Sequence, residues 1–444
     1  MKYFIITCLI ALILQPQVFG SLITVKSLTD LNEAAAKSGV KIKLKPGKYD
    51  LEDLPRDGRV LAFSGSDNVI DLSGVYVKAT VGLVRESYII ITGNKNTIIG
   101  GEFEDVYEKR NLKEVTNFSS YNKDQRLRIG LRGAPVLRVK GNENTIKGIK
   151  LTVRGSFPYG YGSIYGINAD NTFGLDKRCG ILIWGIGNTL DDVEVQQRAF
   201  GHGIYMQGPA DKTVIKNSLV EGRTRETNEI YEEKGVNDLP RRSNYSILGD
   251  PSRPIPKDTV YSLCEDGIRM YDIKGSVLVK NCIVRKMRGG IRLYLGGPAV
   301  VKNCIVEGCE STNYNLPADG KLTDSIGDFT NGPLADYRLN RSRTKAEWTI
   351  RRSPNAIGSH NIMDIGGNGH DITLKREEGP FDKEEKRVIM VTGSRSVIIN
   401  QTEYTLEIAE GATDNRIWSY GPVKGNKREN DVKKIRSLKR KIRR

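Results

Sequence analysis

Apolar residues in this chain keep to short alternating stretches, and several of those stretches repeat. CGILIWGIG begins at Cys179, HGIYMQG at His202, DGIRMYDI at Asp266 and GGIRLYLGG at Gly289. Leu182 to Tyr205 and Arg269 to Arg292 are both 23 residues, while Tyr205 to Arg269 is 64, one period plus 41 inserted residues. A second set of segments keeps the same register: GIKLTV (148–153), DVEVQQ (192–197), NSLVEG (217–222), NCIVRK (281–286) and NCIVEG (303–308). Each is bounded by Gly or Asn, alternates with period two and is too short for a helix.

Short strands recurring every 22 or 23 residues predict a solenoid whose coils stack about 4.8 Å apart. Ile204 and Met206, Ile268 and Met270, Ile291 and Leu293 share one parity and are expected inside. The column through Ile149, Val193, Ser218, Cys282 and Cys304 is also expected to face inward, with Cys282 and Cys304 as packing thiols or as a bridge between coils. Asn217, Asn281 and Asn303 fall in register at one corner, where their amides can pair from coil to coil. The opposite parity faces solvent: Leu182, Tyr205, Arg269 and Arg292 in one column, Trp184, Gln207, Tyr271 and Tyr294 beside it. His202, Glu265, Asp266 and Arg288 lie at the strand entrances.

This pattern of coils, over roughly residues 60–420, resembles the right-handed parallel β-helix proteins, the fold of pectate lyases, polygalacturonases and related secreted carbohydrate-active enzymes. The resemblance implies an all-β chain: a single-stranded right-handed parallel β-helix over 59–423, with an insertion at 223–263 and a loop-rich excursion at 311–345. Residues 21–58, with LTDLNEAAAKSGVKIKLKPGKYDL, look like its N-terminal cap, a short amphipathic helix followed by a strand and a Pro-Gly turn. Such scaffolds carry lyases, hydrolases, esterases and adhesins, so function has to be argued from the outer face.

Composition changes the picture in three places. The opening MKYFIITCLIALILQPQVFG has Lys2, an apolar run from Tyr3 to Leu14 and small residues before Ser21, so 1–20 reads as a cleaved export signal. That run is short for a ~20-residue span, and the expected product is a monomer exported to the periplasm or beyond, without membrane insertion. Of the formal charge of +16, the segment 424–444 carries +9, from eleven Lys and Arg against two acidic residues. It reads as a solvated basic tail rather than a nucleic-acid site. Beyond the signal there are five cysteines, an odd number at spacings that match no zinc pattern.

The outer face carries the candidate chemistry. Stacked arginines flanked by stacked tyrosines repel unless an anion lies between them. Either Glu265 and Asp266 neutralise Arg269 and Arg292 in a surface network, or the face is a cleft for an anionic ligand. The inserted segment could wall such a cleft, and SFPYGYGSIYGINADNTFG (156–174) could add sugar-stacking rings from Tyr159, Tyr161 and Tyr165.

An acidic polysaccharide suits these residues. Its weakly acidic C5 proton is removed only when the neighbouring carboxylate is neutralised, a part for Arg269 and Arg292. His202 or Tyr271 could be the base, and Tyr294 or Arg288 the acid, with Trp184, Tyr205, Gln207 and Asp266 holding substrate. A second reading is hydrolysis. FGHGI (200–204) resembles the Gly-His-Gly segment of polygalacturonases, and GIRMY or GIRLY their Arg-Ile-Lys segment. The resemblance would place His202 and Arg269 or Arg292 beside a substrate carboxylate. CGILIW stands where those enzymes carry an Asp-Asp pair, leaving Glu265 and Asp266 to act as acid and base. A third reading is glycan binding without turnover. No cofactor or metal is expected, since calcium needs more clustered oxygens than Glu265 and Asp266 supply. His360 and His370, in Gly/Asn-rich stretches, are read as turn residues.

Overall fold

Short strands, each hydrogen-bonded to its equivalent one coil earlier and one coil later, run from Leu22 to Lys434 in the computed structural model, which describes residues 21–55, 59–80, 87–106, 135–154, 178–228, 257–337 and 342–437. A 23-stranded sheet carries two of the strand ladders. The remaining face is an eight-stranded parallel sheet. Its strands are, in spatial order, Leu61–Phe63, Ile89–Ile91, Pro135–Val139, Cys179–Ile183, Ile204–Met206, Asp266–Met270, Gly289–Arg292 and Thr312–Asn315. A four-stranded sheet from Met363–Ile365 to Val423–Gly425 follows it toward the C-terminus. Strand order in the eight-stranded sheet is chain order, as stacked coils require.

The inward columns are those of the sequence pattern. Ile181, Ile204, Ile268, Ile291 and Tyr314 stack through the core with no exposure, beside Met206, Met270 and Leu293. Burying each such side chain contributes roughly 1.5–3 kcal/mol. The repeated Gly-Ile pair has a packing cause. A Cβ at Gly203, Gly267 or Gly290 would come within 2.2–2.3 Å of a Cγ1 methyl of Val220, Val284 or Val306, on the facing sheet. Only glycine lets the two walls meet there.

At the N-terminus, Leu28–Ala35 is helical, capped by Ser27 Oγ accepting from the Asp30 N–H, and buries Leu28, Leu31, Ala34 and Ala35 over the first coil. A strand not expected from the sequence, Leu22–Val25, precedes it and pairs with Lys41–Leu44.

Asparagine ladders mark two corners. In the expected one, Asn303 Nδ2 donates to Asn281 Oδ1 and Asn281 Nδ2 to Asn217 Oδ1, each at 2.9 Å, with all three residues at positive φ. A second ladder, absent from the sequence reading, is fully buried. The backbone N–H groups of Asn68, Asn96 and Asn144 donate to the side-chain oxygens of Asn96, Asn144 and Asn188 at 2.9–3.0 Å. Asn144→Ala would leave the Asn96 N–H buried without its acceptor, and a loss of about 1–3 kcal/mol is expected in urea unfolding.

Three features depart from the expected layout. The stretch 311–345 is not loop-rich throughout: Thr312–Asn315 and Lys321–Gly327 are strands of the coils. In the first, Asn313 is wholly buried, donating to the Asp328 carbonyl at 2.7 Å and to its carboxylate at 2.8 Å, and in the second the register shifts between Leu322 and Ser325, so neither keeps an apolar alternation. Parallel pairing also continues past 423, through Val423–Gly425 and Asp431–Lys434, where Val423 and Val432 pack against the core and the lysines mask the pattern. Cys179, Cys264, Cys282, Cys304 and Cys309 are all free and buried, Cys282 and Cys304 as packing thiols. His370 is buried too, bonded to Gly366 O through Nε2, and so is structural.

Candidate active site

The outer face of the eight-stranded sheet carries one continuous column: Arg138, Leu182, Tyr205, Arg269, Arg292 and Asn315, paired coil to coil. Trp184, Gln207 and Tyr271 follow immediately after the strand ends, and Tyr294 stands one residue further on. Leu182 and Tyr205 pack with Cys179 and Tyr271 in a small cluster outside the core.

Arg269 lies between two phenol rings, its Cζ 4.7 Å from the Tyr271 centroid and 4.4 Å from that of Tyr294. Its Nη2 donates to Tyr294 Oη at 2.9 Å, and its Nε is buried without a hydrogen-bond partner among the described residues. Only 6% of the residue is exposed, so its guanidinium is fixed before any ligand arrives.

Asp266 is the anion between the arginines. Its Oδ1 accepts from Arg292 Nη1 at 3.0 Å, and its Oδ2 lies 3.5 Å from Arg269 Nη1. Arg288 Nη2 reaches Glu265 Oε1 at 3.5 Å and Asp266 Oδ1 at 3.8 Å. Burial alone would raise the Asp266 pKa, but Arg292, Arg288 and Arg269 hold the carboxyl well below the usual carboxylate range. The same pairs act on Arg288 in reverse: burial disfavours its charge, and Asp266, Glu265 and Glu310 more than offset that. Three guanidinium groups thus face the Glu265 and Asp266 carboxyls, one cation in excess before the neighbouring Glu310 carboxyl is counted.

Gly289 makes this contact possible. A Cβ there would lie 2.1 Å from Arg292 Cδ and 2.5 Å from Asp266 Oδ1. Gly289→Ala is therefore expected to break the Arg292–Asp266 pair and cost about 3 kcal/mol in thermal unfolding.

His202 joins the carboxylates to the tyrosines. Its Nδ1 accepts from the Asp266 backbone N–H at 3.1 Å, so the neutral ring carries its proton on Nε2. That Nε2 is 2.5 Å from Tyr271 Oη and 3.2 Å from Glu265 Oε2. An Nε2–H pointing at a phenol oxygen is a donor, and it favours negative charge on Tyr271. Burial and then the Glu265 carboxylate work the other way and push Tyr271 up to about 12, with Arg269 pulling it back down.

The structure thus brings His202, Glu265, Asp266, Arg269, Tyr271, Arg288, Arg292 and Tyr294 into one cluster, with Tyr205 at its edge, its ring 5.7 Å from that of His202. Trp184 and Gln207 line a cavity one and two coils toward the N-terminus. Tyr159, Tyr161 and Tyr165 lie outside the described residues, as does 229–256 of the insertion. The base of that insertion, Thr224–Glu226 and Val260–Ser262, is an antiparallel pair.

Three residues escaped the sequence reading. Glu310 Oε2 accepts from the Ser262 N–H at 2.6 Å, and burial pushes this carboxyl up to about 7; it lies 22 residues after Arg288, so extending the register of NCIVRK and NCIVEG by two residues reaches it. Arg138 and Lys140 belong to VLRVKGN (136–142), which aligns with LIWGIG through Arg138↔Leu182 and was readable by extending the register one coil. Glu265, Asp266 and Glu310 each face a cation or a backbone N–H, an arrangement suited to an anionic ligand more than to a metal ion.

Residues 137–323 match the model of the family described as right handed beta helix region. The chain folds as a right-handed parallel β-helix. Comparison with curated proteins found no match. Among solved structures, an alginate lyase in complex with a trisaccharide is 10% identical to this β-helix, with a TM-score of 0.46 and 96% of this chain and 89% of that one covered. DFA-IIIase from Arthrobacter chlorophenolicus is 11% identical, with a TM-score of 0.46 and coverage of 89% and 100%. The endo-xylogalacturonan hydrolase from Aspergillus tubingensis is 11% identical, with a TM-score of 0.35 and coverage of 93% and 95%.

Proposed function

We propose that this β-helix is an exported polysaccharide lyase that cleaves an acidic, uronate-containing polysaccharide by β-elimination at the face around Arg269. The observation that carries the reading is Arg269 itself, held rigid between Tyr271 and Tyr294 with an unpartnered buried Nε, beside a phenol that receives the His202 Nε2–H. Arg269 and Arg292 neutralise the uronate carboxylate, which lets negative charge build on C5 as its proton leaves. Tyr271 Oη, as phenolate, takes the C5 proton and passes it to the departing glycosidic oxygen. The C5–H and C4–O4 bonds break, a C4=C5 double bond forms, and the proton ends on the released O4 hydroxyl. His202 and Arg269 stabilise the phenolate, and Arg288, which keeps its proton, acts as a fixed cation.

Hydrolysis by Glu265 and Asp266 is the weaker reading. A glycosidase acid must hold a proton near its working pH, and Asp266 is held ionised by three arginines. Incubating residues 21–444 with uronate-containing and sulfated polysaccharides separates the readings. Ultraviolet absorbance of unsaturated ends rising with reducing ends supports elimination. Reducing ends alone would move the chemistry to Glu265 and Asp266, and binding without either signal would leave a glycan-binding protein.

A further inference from the structure

N-terminal to the arginine cluster, on the same sheet, a cavity of about 620 Å³ is lined by Arg138, Lys140, Leu182, Trp184, Tyr205 and Gln207, with Pro135 at its edge. Its charged lining is two cations and no carboxylate. Arg138 is half-buried, and its Nε is enclosed without a hydrogen-bond partner among the described residues. Trp184 is 41% exposed, high for an indole on a structural face. Its ring lies against the Gly208 backbone, where φ is +61° and a Cβ would come 2.6 Å from Cε2. One indole face is therefore pinned and flat while the rest of the ring is open to the cavity.

We infer that this cavity is a second carboxylate-reading subsite, in which Arg138 and Lys140 pair with a uronate of the polymer while Trp184 stacks on a pyranose ring. The inference rests on the acidic-polysaccharide reading of the Arg269 face and extends it. Strand order places Arg138 three coil steps from Arg269, through Leu182 and Tyr205, or about 14 Å at the spacing of parallel strands. One 1,4-linked sugar advances a chain by about the length of one coil. A polymer lying along the solenoid axis would therefore set every sugar against one coil and present its carboxylate to Arg138 three residues from the one at Arg269. The intervening coils offer Leu182 and Tyr205, which contact rings and read no charge. The chain is held at two charged points with an apolar track between them, and oligomers too short to span both should bind weakly.

The test is affinity against length. Oligogalacturonates and oligomannuronates of two to eight residues are titrated calorimetrically into the full chain carrying Tyr271→Phe, so that bound oligomer is not consumed. Affinity is expected to step up at least tenfold between trimer and hexamer, the gain from one charge-assisted contact. In Arg138→Ala/Lys140→Ala that step is expected to disappear, and Trp184→Ala is expected to reduce it independently. A step that survives the double variant, equal binding of a neutral hexamer, or no oligomer binding by the parent protein would each overturn the inference. A step that depends on Arg138 in a protein that forms no unsaturated ends would sink the lyase reading and leave this subsite standing.

Discussion

Arg269→Ala is expected to lower kcat for formation of unsaturated ends by about 10³-fold, at the upper end of the loss on removing one fixed donor from a developing negative charge. The side chain is fixed by two phenol rings and an ion pair, so it costs no reorganisation when charge builds on the substrate. Removing it also leaves Asp266 with fewer cations and opens a gap between Tyr271 and Tyr294, so a fall in stability of about 3 kcal/mol should accompany it. Arg269→Lys separates the two effects. An ammonium restores the charge but has no planar face to lie between the rings and no fork for a carboxylate. It is expected to recover much of the thermal stability and little of the rate. A lysine variant with near-normal initial rates would show that charge alone matters and that the ring sandwich is only structural.

The second large effect is on pH dependence. A base works when deprotonated, and Tyr271 is pushed up to about 12. At neutral pH only about one Tyr271 in 10⁵ is the phenolate, and that fraction grows tenfold for each pH unit. The logarithm of kcat/KM should therefore climb with unit slope from pH 7 into the alkaline range, with no plateau below about pH 11. Tyr271→Phe should abolish the signal. His202→Ala removes the Nε2–H that favours the phenolate and should lower the whole line by about 10²-fold without changing its slope. A profile flat from pH 7 to 10 would instead make Tyr271 a proton donor and require a base elsewhere in the cluster.

How much of this was readable beforehand depends on what each residue answers to. Inward columns such as Ile204, Ile268 and Ile291 answer only to the core, and a hydrophobic alternation at constant interval exposes them completely. The outward columns follow by parity, and this is why Arg269, Arg292, Tyr271 and Tyr294 could be placed on one face. Parity fails at Asp266. It shares the parity of Ile268, yet its carboxylate meets outward-facing arginines. Gly267 lies between them, and its missing Cβ points at Val284 in the core, so the chain turns there in a way no period-two rule describes. Glu310 falls 22 residues after Arg288 in the register of NCIVRK and NCIVEG, but its contact could not be read because its partner, the Ser262 N–H, returns from an insertion of unrelated pattern. The strands at Thr312–Asn315 and Lys321–Gly327 were lost for a different reason. In the first, Asn313 is buried and satisfied by Asp328, and in the second a register shift between Leu322 and Ser325 interrupts the alternation, which erases the signal that marks a strand.

Most polar contacts of the cluster cross from one coil to another: His202 Nε2 to Glu265, the Asp266 N–H to His202 Nδ1, and the two carboxylates onward to Arg288 and Arg292, while the Arg269–Asp266 pair stays within one strand. A solenoid loses order by fraying from its ends, since each coil is held by its neighbours alone. Here three central coils are also riveted by hydrogen bonds and ion pairs, so unravelling from either terminus should stall where the rivets begin. In native-state hydrogen exchange, amides of Ile204, Ile268 and Ile291 should be among the last to open, and Asp266→Asn should erase that plateau before it changes the exchange of the terminal coils, while added salt, which screens buried pairs weakly, should leave it in place.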